Sequence, residues 1–348
     1  MTTDHEPAPP EITDAVEDAM DLALEASAAA QGFSSPNPPV GAVILDADGG
    51  VAGIGHTQPP GGPHAEVMAL RAAGAAARGG TAVVTLEPCA HTGRTGPCTQ
   101  ALLEAGVARV FYGVADPNPQ AGGGASILTA GGVPAVGGVL EADVRWGPLR
   151  PWLFRQQHGR PLVTVKIASS IDGRIAAPDG TSRWITGPDA RAHAHAQRAR
   201  IDAVVVGTGT ALADDPSLTA RRSDGTLYPH QPTRVVVGQR DLPPDAKLRD
   251  GTAPLIQVRS YDPVDVFAAV PDASWILVEG GPGVVGAFLV AGLVDEIQWY
   301  LAPTVLGDGV PAVVDGNVTT LAKAHRFRRE SFMALGDDLL VTLVPSRA

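Results

Sequence analysis

Basic charge is scarce in this chain: 26 Lys and Arg stand against 37 Asp and Glu, for a net charge of −11. Nucleic-acid binding is driven largely by phosphate neutralisation, so polymeric DNA or RNA is disfavoured as the partner. Long apolar runs are missing too. No stretch approaches the ~18 apolar residues that a bilayer span requires, and residues 1–11, MTTDHEPAPPE, carry neither the basic nor the apolar region of an export signal. No membrane partner and a cytoplasmic address are the expectations. Thiols are rarer still, since Cys89 and Cys98 are the only cysteines. A disulfide between them is the plain alternative, but a reducing compartment and their closeness in one segment favour joint use as metal ligands.

What the chain does have is 44% apolar and 18% charged residues over a length of 348, enough for packed interiors and suited to two domains. From Thr13 to Ala30, Val16, Met20, Ala23 and Ser27 recur at helical spacing. Apolar runs at Val40 to Leu45, Thr81 to Leu86 and Val107 to Val114 then alternate with Ala-rich helical segments at Ala65 to Ala77 and Thr99 to Ala105. That alternation predicts a layered α/β domain. Breakers mixed with basic residues from Gly147 to Pro161 precede a fresh strand at Val163 to Ile167. The expected division is therefore a first domain over 12–146, a linker over 147–161 and a second domain over 162–346. The second half repeats the alternation, with helices at Pro188 to Arg200 and Val284 to Ala291 and strands at Ala203 to Val206, Thr233 to Val237, Trp275 to Val278 and Ile297 to Leu301. No internal repeat relates the halves, so two different folds are joined.

The chemistry is concentrated in His64-Ala65-Glu66, Pro88-Cys89 and Cys98. One imidazole and two thiolates form a three-ligand Zn²⁺ set that leaves the fourth tetrahedral position open for a water the metal acidifies. Glu66, two residues after His64, is the candidate proton shuttle from water to a departing amine. H-x-E followed by Pro-Cys and a second Cys is the pattern of zinc deaminases, although eight residues separate the cysteines here where the usual pattern has two. A closed structural site completed by His91 or His56 is the alternative, and it leaves Glu66 without a task.

The long insertion makes the family recognisable. Ser35-Pro36-Asn37-Pro38-Pro39-Val40-Gly41, Gly53-Ile54-Gly55-His56, Thr85-Leu86-Glu87-Pro88-Cys89, His91-Thr92-Gly93-Arg94-Thr95, Pro97-Cys98 and Asp116-Pro117-Asn118-Pro119 together resemble the bacterial riboflavin-pathway deaminase–reductases. Ser35 departs from the family's usual Asn, and the loop after Asp116 is unusually Gly-rich. The resemblance implies a cytidine-deaminase-like α/β/α sandwich that hydrolyses the 2-amino group of a 2,5-diamino-6-ribosylamino-pyrimidinone 5′-phosphate, with Asn37 and the His91 to Arg94 loop lining the pocket. Spacing alone supports only the deamination of some amino-heterocycle.

The second half is quieter. Glu279-Gly280-Gly281-Pro282-Gly283 lies between a strand and a helix, either as an ordinary connector or as a turn whose backbone N–H groups cradle phosphate, and it is not the Rossmann fingerprint. Lys166 in an apolar strand, Asp172-Gly173-Arg174, Ser182-Arg183-Trp184-Ile185-Thr186 and Thr210 to Pro216 are unremarkable singly, but in this order they resemble the reductase half of the same family. The resemblance implies a dihydrofolate-reductase-like α/β domain that transfers hydride from NADPH to C1′ of the ribosylamino group. It places Ala168, Trp184, Thr210, Asp214, Gly281, Pro282, Gly283 and Gly286 against NADPH, and Ser182, Arg198, Leu218, Arg221 and Glu279 against substrate, with Lys166 a further candidate. Ala168 stands where the family often has Gly. Arg198 and Arg221 suit a ribose phosphate because guanidinium forks match its oxygens. The resemblance also implies a homodimer. Two competing readings are a zinc nucleoside deaminase carrying a nucleotide-sensing module, and a nucleic-acid base deaminase, against which the acidic balance weighs.

Overall fold

The computed structural model describes residues 10–91 and 96–346. The chain divides into two compact units, one ending at Gly159 and one beginning at Arg160.

The first unit runs α1 (Asp14–Ala30), β1 (Gly41–Leu45), β2 (Val51–His56), α2 (Ala65–Ala73), β3 (Thr81–Leu86), α3 (Cys98–Ala105), β4 (Arg109–Val114), α4 (Gly124–Ala130), β5 (Ala135–Gly137), α5 (Glu141–Trp146) and α6 (Arg150–His158). Its sheet has the order β2-β1-β3-β4-β5, with β1 antiparallel to both neighbours and the rest parallel. The apolar stripe of α1 buries Val16, Met20, Ala23 and Ser27, and β1 and β3 are buried along almost their whole length. Strands buried on both faces need helices on both sides, and this is the layered arrangement expected.

Strand β2 was not legible because its glycines read as breakers. They have a packing reason: a Cβ on Gly53 would lie 2.3 Å from the Ala69 carbonyl oxygen, and one on Gly55 would lie 2.4 Å from the Ala69 nitrogen. Their absence lets α2 sit directly on the strand, which fixes where His64 and Glu66 emerge. The stretch 147–161, expected as a linker, contains α6. Pro151 falls within the first turn, where no intrahelical N–H is needed, and Gly159 at φ 68° closes the C-terminus. The breakers bracket a helix whose Pro151 and Trp152 are buried.

The second unit runs β6 (Leu162–Ser170), β7 (Arg174–Ala176), α7 (Pro188–Arg198), β8 (Ala203–Gly207), α8 (Thr208–Asp214), β9 (Thr233–Val237), β10 (Leu255–Val258), α9 (Val264–Ala269), β11 (Trp275–Val278), α10 (Pro282–Val290), β12 (Glu296–Ala302), β13 (Val310–Pro311), β14 (Phe327–Leu335) and β15 (Asp338–Pro345). Eight strands order as β10-β9-β8-β11-β6-β12-β15-β14. The six from β10 to β12 are parallel, while β15 and β14 are antiparallel additions at one edge. A core of Val163, Val165, Val205, Val235, Ile276 and Phe288 underlies the sheet. Parallel strands present their C-terminal ends along one edge, where ligand clefts of open α/β sheets form. Lys166, Gly207 and Glu279 lie at or near that edge.

Candidate active sites

In the first unit, His64 is the N-cap of α2 and Cys98 the first residue of α3, while Cys89 lies in the segment between β3 and α3. The donor atoms of His64, Cys89 and Cys98 all lie within 4.8 Å of one another. His64 Nδ1 is 3.2 Å from Cys98 Sγ and 3.6 Å from Cys89 Sγ. A tetrahedron with zinc's usual bond lengths has N···S edges of about 3.6 Å, so the residues fit that metal. The Cys98 backbone N–H points to Cys89 Sγ at 3.4 Å. The hydrogen bond from Cys98 draws the Cys89 thiol well below its usual range, while that bond and burial push Cys98 above it. One proton shared between the two sulfurs satisfies the pair, and ionising both would require a cation between them. Neither His56, which contacts the Thr57 carbonyl, nor His91 joins the cluster among the described residues.

Glu66, 4% exposed, has its carboxyl raised to about 7, mainly by burial and then by the nearby Cys89 thiolate. A cavity of about 230 Å³ opens beside it, lined by Asn37, His64, Glu66, Cys89 and His91. The rest of the expected His91 to Arg94 loop lies outside the described residues. Trp152 and Gln156 of α6 and Thr57 also line the cavity. None of the three is marked in the sequence, where the breakers around α6 resemble a connector and a lone Thr carries no signal. Glu87 accepts the backbone N–H groups of Asp116 at 3.2 Å and Ala125 at 3.0 Å, and so ties down the loop that presents Asp116 and Asn118 to the cavity.

In the second unit, Lys166 on β6, Arg198 at the end of α7 and Glu279 just after β11 converge. Arg198 grips Glu279 with both arms, Nε to Oε1 at 2.5 Å and Nη2 to Oε2 at 2.7 Å. Lys166 Nζ stands 3.5 Å from Glu279 Oε2. Burial alone would raise the Glu279 carboxyl, but Arg198 and Lys166 outweigh it and hold the group at about 2. Burial lowers Lys166. Arg198, expected against a ribose phosphate, is thus committed to Glu279 and to the Thr219 carbonyl at 3.2 Å, while Arg221 stays exposed.

A cavity of about 480 Å³ over this triad is lined by Lys166, Ala168, Ser182, Trp184, Arg198, Leu218 and Arg221, with Asp214 at its margin. Leu218 adopts φ 52°, a strained conformation that persists where surroundings enforce it. Buried Arg234 does so in part by bonding the Ser217 carbonyl at 3.3 Å. The Trp184 ring is 72% exposed with Arg191 stacked 4.5 Å from its centroid.

A second cavity, about 630 Å³, shares Ser182, Asp214 and Ile175 with the first and continues over Gly207, Thr210, Gly281, Pro282 and Gly283. The Gly281 N–H donates to Thr210 Oγ1 at 3.0 Å, which joins the starts of α8 and α10 into one floor. A Cβ on Gly283 would meet nothing within 4 Å, so backbone is open to a ligand there, as a phosphate cradle requires. The residues present fit a dinucleotide. Three expected contacts fall elsewhere: Ala168 and Trp184 line the first cavity only, and Gly286 lines neither because its Cα faces α10's far side, where a Cβ would sit 2.0 Å from the Val314 carbonyl oxygen.

Comparison with known proteins accords with both halves. Residues 13–114 match the cytidine and deoxycytidylate deaminase zinc-binding region, and residues 161–341 match the RibD C-terminal domain. The chain is 51% identical to the riboflavin biosynthesis protein RibD of Mycobacterium tuberculosis over 94% of its own length and 97% of that protein's. It is similar to the solved structure of Acinetobacter baumannii RibD, with a TM-score of 0.84, 34% identity and coverage of 96% and 99% of the two chains. It is likewise similar to the Thermotoga maritima diaminohydroxyphosphoribosylaminopyrimidine deaminase/5-amino-6-(5-phosphoribosylamino)uracil reductase, with a TM-score of 0.86, 32% identity and coverage of 95% and 99%. With a three-donor zinc site in one unit and a dinucleotide cleft beside a buried Lys–Glu–Arg triad in the other, the chain belongs to the RibD family, bifunctional enzymes of riboflavin biosynthesis that join a zinc-dependent deaminase to an NADPH-dependent reductase.

Proposed function

We propose that the two substrates are those for which the Thermotoga maritima relative is named, with the deaminase carried by residues 12–146 together with α6 and the reductase by 162–346. In the deaminase, His64, Cys89 and Cys98 hold zinc, which supplies the Lewis acidity that readies water for attack near neutral pH. Glu66 takes a proton from that water and delivers it to the leaving amine, and its buried, raised carboxyl suits both directions of transfer. Asn37 and His91 orient the ring from the cavity wall. Deamination replaces the amino group by a carbonyl and releases ammonia.

In the reductase, NADPH supplies the hydride to C1′. Thr210, Asp214 and the Gly281–Pro282–Gly283 turn hold the dinucleotide, with Ser182 where the two cavities meet. Trp184, Leu218 and Arg221 enclose the substrate, and exposed Arg221 is a cation available for its phosphate. As the C1′–O4′ bond breaks and C1′–H forms, O4′ must gain a proton. Lys166 is the donor, kept beside the substrate cavity by Glu279. Arg198 acts by fixing Glu279.

A homodimer and a cytoplasmic location complete the reading. Edge strand β14 leaves Phe332 at 64% and Met333 at 49% exposure, an apolar edge that a second copy would cover. No helix among the described residues is long and apolar enough to cross a membrane. The observation that carries the proposal is the pairing of the His64–Cys89–Cys98 donor cluster with buried Glu66. Purified protein given the diaminopyrimidine phosphate should release ammonia before it oxidises NADPH. NADPH oxidation without ammonia release would reject the order and the assigned substrates.

A further inference from the structure

The far end of the dinucleotide cleft holds a guanidinium with no acidic partner among the described residues. Arg240 is the only Lys, Arg or His among the described residues that line the 630 Å³ cavity. It follows β9, which lies three strands from β6 in the order β9-β8-β11-β6, about 14 Å away at ~4.8 Å per strand. All four strands are parallel, so their C-terminal ends share one edge of the sheet. The reacting end of the cofactor must lie where the two cavities meet, at Ser182 and Asp214, and its diphosphate at the Gly281–Gly283 turn. Arg240, beside exposed Tyr261, then stands at the adenosine end.

The segment around Arg240 is fixed, yet among the described residues no acid pairs with its head. Gln257 Nε2 donates to the Arg240 carbonyl at 2.7 Å. On either side, Gln239 and Arg259 exchange bonds of 2.9 and 3.0 Å, and Arg259 also takes Asp241 as its ion partner. The one carboxylate next in sequence is therefore claimed. Among the described residues Arg240 itself forms no ion pair, and Asp262, also on the cavity wall, accepts the Val264 N–H through one oxygen at 2.9 Å. The guanidinium reaches back to the first turn of α8, where a Cβ on Gly209 would come within 3.4 Å of its Nη2. Gly209 thus leaves the room in which Arg240 lies along the cleft wall.

We infer that Arg240 sets the preference for NADPH over NADH by binding the phosphate on the adenosine 2′-oxygen. That monoester is the sole difference between the two cofactors. It is close to dianionic near neutral pH, and a guanidinium fork matches its oxygens. The diphosphate, common to both cofactors, is the other anion Arg240 has within its reach in principle, and the two sources give different results. The inference rests on the dinucleotide reading of this cavity.

Calorimetric titration separates the cases without turnover. Arg240→Gln, a change at an exposed side chain, should weaken NADPH and adenosine 2′,5′-bisphosphate by roughly 10- to 100-fold, the worth of a bidentate charge-assisted contact, and leave NADH and AMP within about twofold. Arg240→Lys should recover part of the discrimination. Equal weakening of NADPH and NADH, or no weakening of either, overturns the assignment. Gly283→Leu tests the cavity reading separately: it should weaken both cofactors alike. If Gly283→Leu leaves both unaffected while the wild type binds NADPH, the dinucleotide lies elsewhere and both readings fall.

Discussion

Glu279→Gln isolates the buried triad of the reductase. The side chains of Glu279 and Arg198 are 6% and 14% exposed, so solvent screening is slight. The carboxyl sits at about 2 against its ordinary 4.5. At 1.36 kcal/mol per pH unit this displacement corresponds to roughly 3 kcal/mol of folded-state stabilisation. A depressed value means that the stabilisation is fully present above pH 4.5 and is lost as pH falls towards 2. The amide cannot carry the charge and leaves Arg198 and Lys166 without their counter-ion, a change of similar size in buried pairs, about 3–5 kcal/mol. For a domain of this size ~1 kcal/mol moves the melting temperature by about 2–4 °C. The variant should therefore melt roughly 6–12 °C lower than wild type at pH 7, in the transition that NADPH raises. The gap should narrow as pH drops from 4.5 to 3. A gap under about 2 °C at pH 7, or one that stays constant down to pH 3, would refute the assignment of a charged, doubly paired Glu279.

Three further expectations concern other parts of the molecule. Glu66→Gln should retain zinc by elemental analysis and lower ammonia release by roughly a hundredfold or more; full activity would remove Glu66 from the reaction. Gly55→Ala puts a Cβ 2.4 Å from the Ala69 nitrogen, so α2 must shift, and zinc content should fall along with roughly 1–3 kcal/mol of stability, whereas unchanged zinc content and melting would show that the strand tolerates the methyl. Light scattering should give a dimeric mass for wild type and a monomeric one for Phe332→Glu, and a monomeric wild type or an unchanged mass in the variant would refute the proposed β14 contact.

The parts legible in the sequence were those where one physical signal dominates. Helix α1 and strands β1, β3, β8, β9 and β11 announce themselves because apolar periodicity and continuous burial coincide. The zinc donors were readable because few residue types bind that metal and their spacing is tight. Legibility failed where a residue's meaning depends on what approaches it. Gly53 and Gly55 signal a breaker in sequence and a helix–strand contact in space. Pro151 and Gly159 look like linker punctuation but cap α6, which delivers Trp152 to the deaminase cavity. Arg198 suggested a phosphate ligand until the fold paired it with Glu279, 81 residues away in sequence. Nothing along the chain marks Arg240, since its significance lies in Asp241 being taken by Arg259.

Each unit carries one chemistry with its own machinery, and Cys89→Ala separates the two. The substitution removes one of three zinc donors and lies in the unit that ends at Gly159, outside the reductase unit. Ammonia release and NADPH oxidation should be followed separately, the second with the already deaminated ribosylamino-uracil phosphate as substrate. The variant should hold no zinc and release no ammonia, and should oxidise NADPH close to the wild-type rate. A soluble, folded Cys89→Ala protein that releases ammonia normally, or that can no longer reduce the deaminated substrate, would contradict this separation.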